Sequence, residues 1–125
     1  MSASGAGAGK HSVVIRRWGG PEALLFESQE SEGLGPSDVR VRVGAAGVNF
    51  ADALMRMGLY PEAPKRPFVP GYEVAGTIIE VGSAVAGFKK GDRVLAGSHF
   101  GGYTTEIVVP EFQARRIPDG MTEIE

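Results

Sequence analysis

Short apolar stretches alternate with turn-forming residues along most of the chain. The clearest alternation covers residues 39–43, where Val39, Val41 and Val43 are separated by Arg40 and Arg42. A period of two predicts a strand with one buried and one solvated face. Other apolar stretches between turn signals predict strands at 13–18, 24–28, 74–81, 93–96, 103–109 and 112–117.

One segment departs from this pattern and predicts a short helix. Residues 50–57 contain neither glycine nor proline, and Phe50, Leu54 and Met57 recur at helical spacing. Asn49 is a favoured N-cap, and a carboxylate three residues later can accept a hydrogen bond from a free backbone N–H group. Gly58 is a suitable stop.

The composition favours an all-β interpretation of the remaining chain. The 125 residues include 19 glycines and 8 prolines, which divide the sequence into short segments, and 42% are apolar. Many short strands with one or two short helices predict a mainly β fold, with the sheet closed or coiled into a barrel. The net charge of −2 does not indicate nucleic acid as a partner.

The organisation along the chain predicts one domain with short extensions. Residues 1–11 are rich in glycine and are expected to form a flexible tail, and residues 12–120 are expected to form the domain. In residues 121–125, Thr122 and Glu125 have the spacing of a capping box, so this segment is expected to start a helix. A single turn is too short to be stable, so we expect it to fray.

Four stretches in order resemble one enzyme superfamily. They are GVNFADALMRMGLY (47–60), PGYEVAGTIIEVG (70–82), FKKGDRV (88–94) and GGYTTEIVVP (101–110). Together they resemble the N-terminal, GroES-like catalytic domain of the medium-chain dehydrogenase/reductase superfamily. The resemblance covers nearly all of the chain after the tail and implies a GroES-like barrel.

Two positions place the resemblance in the zinc-free quinone oxidoreductase branch. Zinc-binding members have cysteine where this chain has Asn49 and histidine where it has Tyr72, and the chain contains no cysteine. An amide and a phenol are poor zinc ligands, so no metal site is expected. The sequence looks closest to relatives of the vesicle amine transport protein, although many quinone reductases have tyrosine in place of Leu54.

The resemblance implies reduction of a quinone or conjugated carbonyl by hydride transfer from NADPH. The family's Rossmann half, whose Gly-x-Gly-x-x-Gly loop binds the cofactor, is absent from these residues. We therefore expect a catalytic half that is inactive alone, with NADP bound mainly by the missing Rossmann domain. A small quinone or enone is the expected partner, in a cytoplasmic protein whose longer form could be a homodimer. Two alternatives are an enoyl reductase-type domain and a non-catalytic binding or assembly module.

Five residues are candidates for the substrate and nicotinamide pocket, and none is assigned a certain catalytic role. Tyr72 has the strongest positional argument, since it occupies a metal-ligand position of the zinc branch. Asn49 could face the pocket, cap the helix, or do both, whereas Asp52 is better explained as a first-turn carboxylate. Tyr60 could line the pocket or pack. Glu73 could orient a pocket group or form an ion pair with an arginine such as Arg93, which would leave it structural.

Overall fold

The computed structural model describes residues 9–125, which form seven strands, one α-helix and two 3-10 turns. The strands are β1 (Lys10–Ile15), β2 (Leu24–Gln29), β3 (Asp38–Ala46), β4 (Glu73–Val81), β5 (Arg93–Gly97), β6 (Glu106–Pro110) and β7 (Ala114–Arg116). Helix α1 is Phe50–Met57, and the 3-10 turns are Pro21–Ala23 and Glu111–Gln113. No helix within residues 9–125 has the length and hydropathy of a membrane crossing.

Five of the strands form an antiparallel sheet in the order β6-β3-β4-β5-β7. The alternation in β3 is confirmed, because Val39 and Val41 are fully buried while Arg40 on the other face binds Glu80 and Glu106. The main core lies against this sheet and consists of Val39, Val41, Val74, Ile78, Val94, Ala96, Ile107, Val109 and Ala114. The expectation of a mainly β fold with one α-helix is confirmed.

A second, two-stranded sheet pairs β1 with β2 in antiparallel orientation. It is joined to distant segments by hydrogen bonds from Val13 to Tyr103 and between Ile15 and Phe68. A smaller apolar cluster forms there around Ile15, Met55 and Phe68, with Leu24, Ala51, Tyr60, Ala63, Tyr72 and Phe100 packed against it.

The predicted strands differ from the observed ones mainly at their ends. The first strand was predicted at 13–18 but is β1, so Lys10 and His11, assigned above to the tail, belong to a strand. Residues 1–8 of the expected tail lie outside the described residues. The strand predicted at 103–109 begins only at Glu106, and the one at 112–117 is a 3-10 turn followed by the three residues of β7.

Helix α1 has the predicted ends but a different buried face. It runs from Phe50 to Met57 and stops at Gly58, whose φ of 79° is left-handed. Its buried residues are Asp52 and Met55, whereas Phe50 is 79% exposed. The predicted apolar face is therefore not the face that packs.

Residues 121–125 do not form the expected first helical turn. The Thr122 N–H does donate to the Glu125 carboxylate at 3.2 Å, as in a capping box. Arg93, however, binds the Met121 carbonyl at 2.7 Å and the Glu123 carboxylate at 3.0 Å. These contacts attach the segment to the start of β5 without a helical turn.

Candidate functional site

Two phenols predicted as pocket residues meet in the structure. The Tyr72 O–H donates a hydrogen bond to the Tyr60 hydroxyl at 3.1 Å. Tyr60 follows the left-handed Gly58 that ends α1, and Tyr72 immediately precedes β4. Gly71, directly before Tyr72, has a φ of 107°, and a side chain there would meet Tyr103 at 2.7 Å. Only glycine fits this backbone conformation and this space, and the conformation positions Tyr72 next to Tyr60.

The surroundings of Tyr72 keep its hydroxyl protonated. Burial raises the pKa of the Tyr72 phenol to about 12, and the hydrogen bond with Tyr60 and the charges of Asp52 and Glu62 act in the same direction. At neutral pH the group is therefore an uncharged hydrogen-bond donor.

Phe100 provides an apolar wall beside the two phenols. Its ring centroid lies 5.3 Å from that of Tyr72 and 6.5 Å from that of Phe68. It has a φ of 66°, rare for a side chain of this size, and is followed by Gly101 at 87°. The sequence analysis missed Phe100; an aromatic residue directly before a Gly-Gly pair was the only available signal.

Asp52 organises the start of α1. One carboxylate oxygen, Oδ2, accepts hydrogen bonds from the Asn49 N–H at 2.9 Å and from the Tyr103 O–H at 3.0 Å. Burial, followed by the bond to Asp52, raises the pKa of Tyr103. The other oxygen, Oδ1, is buried without a partner among the described residues. These contacts give Asp52 the structural role expected of a first-turn carboxylate.

Glu73 lies apart from the two phenols. It lines a separate cavity of about 300 Å³ next to the segment around Glu123, and its side chain covers Gly47. The suggested ion pair between Glu73 and Arg93 is wrong, because Arg93 binds Glu123. Asn49 is half-buried at the start of α1, and its orientation toward Tyr72 stays a prediction.

A cavity of about 660 Å³ opens beside Tyr60. It is lined by the segment that follows β1 and by the proline-rich loop that follows α1. The lining residues are Arg16, Trp18, Gly58, Tyr60, Pro61, Ala63, Pro64, Lys65 and Arg66. The sequence analysis did not identify Trp18 or Arg66, which lie 48 positions apart in the chain but stack at 4.4 Å.

The groups around Tyr60 and Tyr72 suit an acceptor oxygen better than a metal ion or a dinucleotide phosphate. Across residues 9–125, no three histidine, cysteine or carboxylate side chains gather as a metal site. All strand pairs in this range are antiparallel, and the sequence has no Gly-x-Gly-x-x-Gly loop to fit a pyrophosphate. The site instead offers the hydroxyl groups of Tyr60 and Tyr72 next to the aromatic ring of Phe100.

Comparison with known proteins identifies similar sequences. A family model described as the alcohol dehydrogenase GroES-like domain matches residues 35–119. The chain is 43% identical to the quinone oxidoreductase-like protein 2 homolog of Nematostella vectensis over 113 residues. This match covers 89% of the chain and 30% of the relative, so the chain spans about a third of the length of the relatives that it matches.

Solved structures show the same fold. The human synaptic vesicle membrane protein VAT-1 homolog-like protein superimposes with a TM-score of 0.86 at 31% identity, over 91% of this chain and 36% of that one. The Escherichia coli quinone oxidoreductase complexed with NADPH gives a TM-score of 0.83 at 32% identity, over 90% of this chain and 35% of that one.

Proposed function

The chain belongs to the alcohol dehydrogenase GroES-like domain family, and from this premise we propose that it is the catalytic domain of an NADPH-dependent, zinc-independent oxidoreductase. The proposed reaction reduces a quinone or a conjugated carbonyl by hydride transfer. The observation that carries the proposal is the hydrogen-bonded pair Tyr60 and Tyr72 beside a small-molecule cavity. Relatives named quinone oxidoreductases support the reaction class.

The two phenols have the properties needed to polarise an acceptor. When bound, NADPH supplies the hydride, and negative charge then develops on the acceptor oxygen. Because Tyr72 donates to Tyr60, the Tyr60 O–H is free to donate to that oxygen. Donors fixed before the reaction stabilise developing charge without reorganising. The high pKa of Tyr72 keeps that phenol uncharged, so it remains a donor to the Tyr60 hydroxyl.

Trp18 would orient a flat acceptor, because it lines the cavity beside Tyr60 and conjugated rings pack favourably against an aromatic side chain. Phe100 and Phe68 lie outside that cavity. Phe100 packs on Tyr72 and Phe68 lies at the edge of Phe100, so these rings hold the Tyr72 phenol in place. The nicotinamide would approach from outside these 125 residues, since they provide no pyrophosphate loop. The E. coli relative bound to NADPH supports this choice of cofactor.

Zinc independence is proposed from the donor set of the site. Tyr72 and Asn49 stand where the zinc branch has histidine and cysteine, and a phenol with a pKa near 12 is a weak zinc ligand at neutral pH. Hydrogen bonds would then polarise the acceptor oxygen, in place of the zinc ion of the zinc branch.

A hybrid protein tests the proposal. The chain would be fused at Glu125 to the nucleotide-binding half of the E. coli quinone oxidoreductase, and NADPH oxidation would be measured with benzoquinone and with benzalacetone. Tyr60→Phe and Tyr72→Phe are expected to lower kcat/KM by about tenfold or more. Tyr103→Phe, the same chemical change at a residue bonded to Asp52, is the matched control and is expected to change kcat/KM by less than about threefold. Unchanged kinetics in both phenol variants would assign the pair to packing.

A further inference from the structure

The cavity beside Tyr60 is built by two segments that are tied together at its base. The backbone N–H groups of Ile15 and Phe68 donate to each other's carbonyl groups at 2.8 and 3.2 Å. This bridge brings Arg16, which follows Ile15, next to the end of the loop that carries Lys65 and Arg66. The cavity is therefore a defined feature of the fold, although its rim is a loop.

Trp18 forms a fixed aromatic surface within this cavity. Its ring packs on Gly58, where any side chain would meet the indole at 2.9 Å. The next residue, Gly19, exchanges hydrogen bonds with Arg56 of α1, at 2.9 Å from its N–H and 3.0 Å to its carbonyl. The Arg66 guanidinium lies 4.4 Å from the Trp18 ring centroid, in cation–π contact.

The cavity carries uncompensated positive charge. Three of its nine lining residues are cationic and none is acidic. Glu27 neutralises Arg16 through two hydrogen bonds of 2.7 and 2.8 Å. Within residues 9–125, neither Lys65 nor Arg66 takes part in a salt bridge. The nearest acidic residue on the loop, Glu62, does not line the cavity; its charge acts on Tyr72.

We propose that the acceptor carries an anionic group, such as a carboxylate, which binds to Lys65 and Arg66 while its conjugated part lies beside the exposed part of Trp18 and reaches Tyr60. This inference deepens the proposed function and rests on it. A volume of about 660 Å³ suits a small molecule of one or two rings, because small-molecule sites measure about 300–1,000 Å³. An uncharged quinone would leave both cations without an anionic partner, so the site discriminates in favour of anionic acceptors.

The test uses the 125-residue chain and two matched probes. These are benzalacetone, an uncharged enone, and its para-carboxylate, and binding is followed by NMR. Trp18 is the single tryptophan of the chain, so the one indole N–H signal reports directly on the cavity. The carboxylate is expected to bind at least about tenfold more tightly than the parent enone at low salt and to lose this advantage as salt screens the charges.

Charge variants localise the effect. Lys65→Gln and Arg66→Gln are each expected to weaken carboxylate binding about threefold to tenfold and to leave the parent enone unchanged. Lys90→Gln, which removes the same charge from an exposed turn before β5, is expected to change neither. All three positions are exposed, so folding should be retained.

Two outcomes would overturn the inference. If titration of the indole signal shows that the uncharged enone binds as tightly as the carboxylate, the anionic preference is wrong while the proposed reduction stands. If neither probe shifts it, the cavity is not the acceptor site, and the hybrid protein's turnover decides the proposed function separately.

Discussion

At the scale of single residues, Tyr72 shows how local packing sets the chemistry of a side chain. Burial and the hydrogen bond with the Tyr60 hydroxyl raise the pKa of its phenol, so the side chain stays an uncharged donor at neutral pH. Its position was predicted from the sequence through a resemblance, whereas its bond to Tyr60 depends on where the chain returns after the proline-rich loop.

The Tyr72 phenol should make stability depend on alkaline pH. An unfolded tyrosine loses its proton near pH 10, whereas folded Tyr72 keeps it until about pH 12. Its contribution is thus fully present below about pH 10 and is lost as the pH rises toward 12. In urea unfolding, the wild-type chain should lose more stability than Tyr72→Phe between about pH 9 and pH 11. Parallel losses in the two proteins would mean that the pKa of Tyr72 is not raised.

At the scale of elements, the start of α1 is held by a buried carboxylate. Asp52 accepts from Asn49 and from Tyr103, so it joins the helix to the segment before β6. Asp52→Ala should lower the free energy of unfolding by about 1–3 kcal/mol, because two donors lose their acceptor. The control is Asp119→Ala on an exposed turn, which should have little effect. If the Asp52 variant is as stable as the wild type, the carboxylate does not stabilise the start of α1.

The close pairing of β3 with β4 depends on Gly76. It lies opposite Val43, next to an irregularity in the register, and a side chain there would overlap the Arg42 carbonyl. Gly76→Ala should therefore cost about 1–3 kcal/mol in urea unfolding. Gly97→Ala in β5, where a side chain meets nothing, is the matched control. Equal stabilities of the two variants would contradict the close approach.

The sequence predicts where a helix or strand lies along the chain better than it predicts which segments pack against that element. The ends of α1 carry local signals in Asn49 and Gly58, and both hold in the structure. Its buried face has no such signal, because burial depends on which segment packs on the helix. The cluster around Ile15 and Phe68 covers Met55 and leaves Phe50 in solvent. Strand ends failed for the same reason: β1 extends to Lys10 because β2 pairs with it as far as Gln29.

At the scale of the whole molecule, the site combines segments that are far apart in the chain. Tyr60 and Tyr72 come from motifs that the resemblance could identify, so they could be proposed from sequence. Trp18, Arg66 and Phe100 could not, since only the folded chain brings them to the same region. The acidic candidate Glu73 lines a different cavity from Tyr60, because adjacent residues at the start of a strand point to opposite faces of the sheet.

The 125-residue chain should not bind NADPH by itself. Its sequence contains no Gly-x-Gly-x-x-Gly loop, the motif that places a pyrophosphate at a helix N-terminus. Calorimetric titration should give no saturable heat, while the hybrid protein should bind NADPH under the same conditions. Saturable micromolar binding to the chain alone would show that the cofactor site has been misplaced.

Label transfer in the hybrid protein follows the hydride from NADPH to the acceptor. The metal-depleted hybrid would be given benzalacetone and NADPH deuterated at both C4 positions, with a chelator present. We expect one deuterium at the β-carbon of the saturated ketone, formed at the same rate with and without the chelator. NADPH binding without label in the product, or label transfer that stops with chelator and returns with zinc, would contradict it.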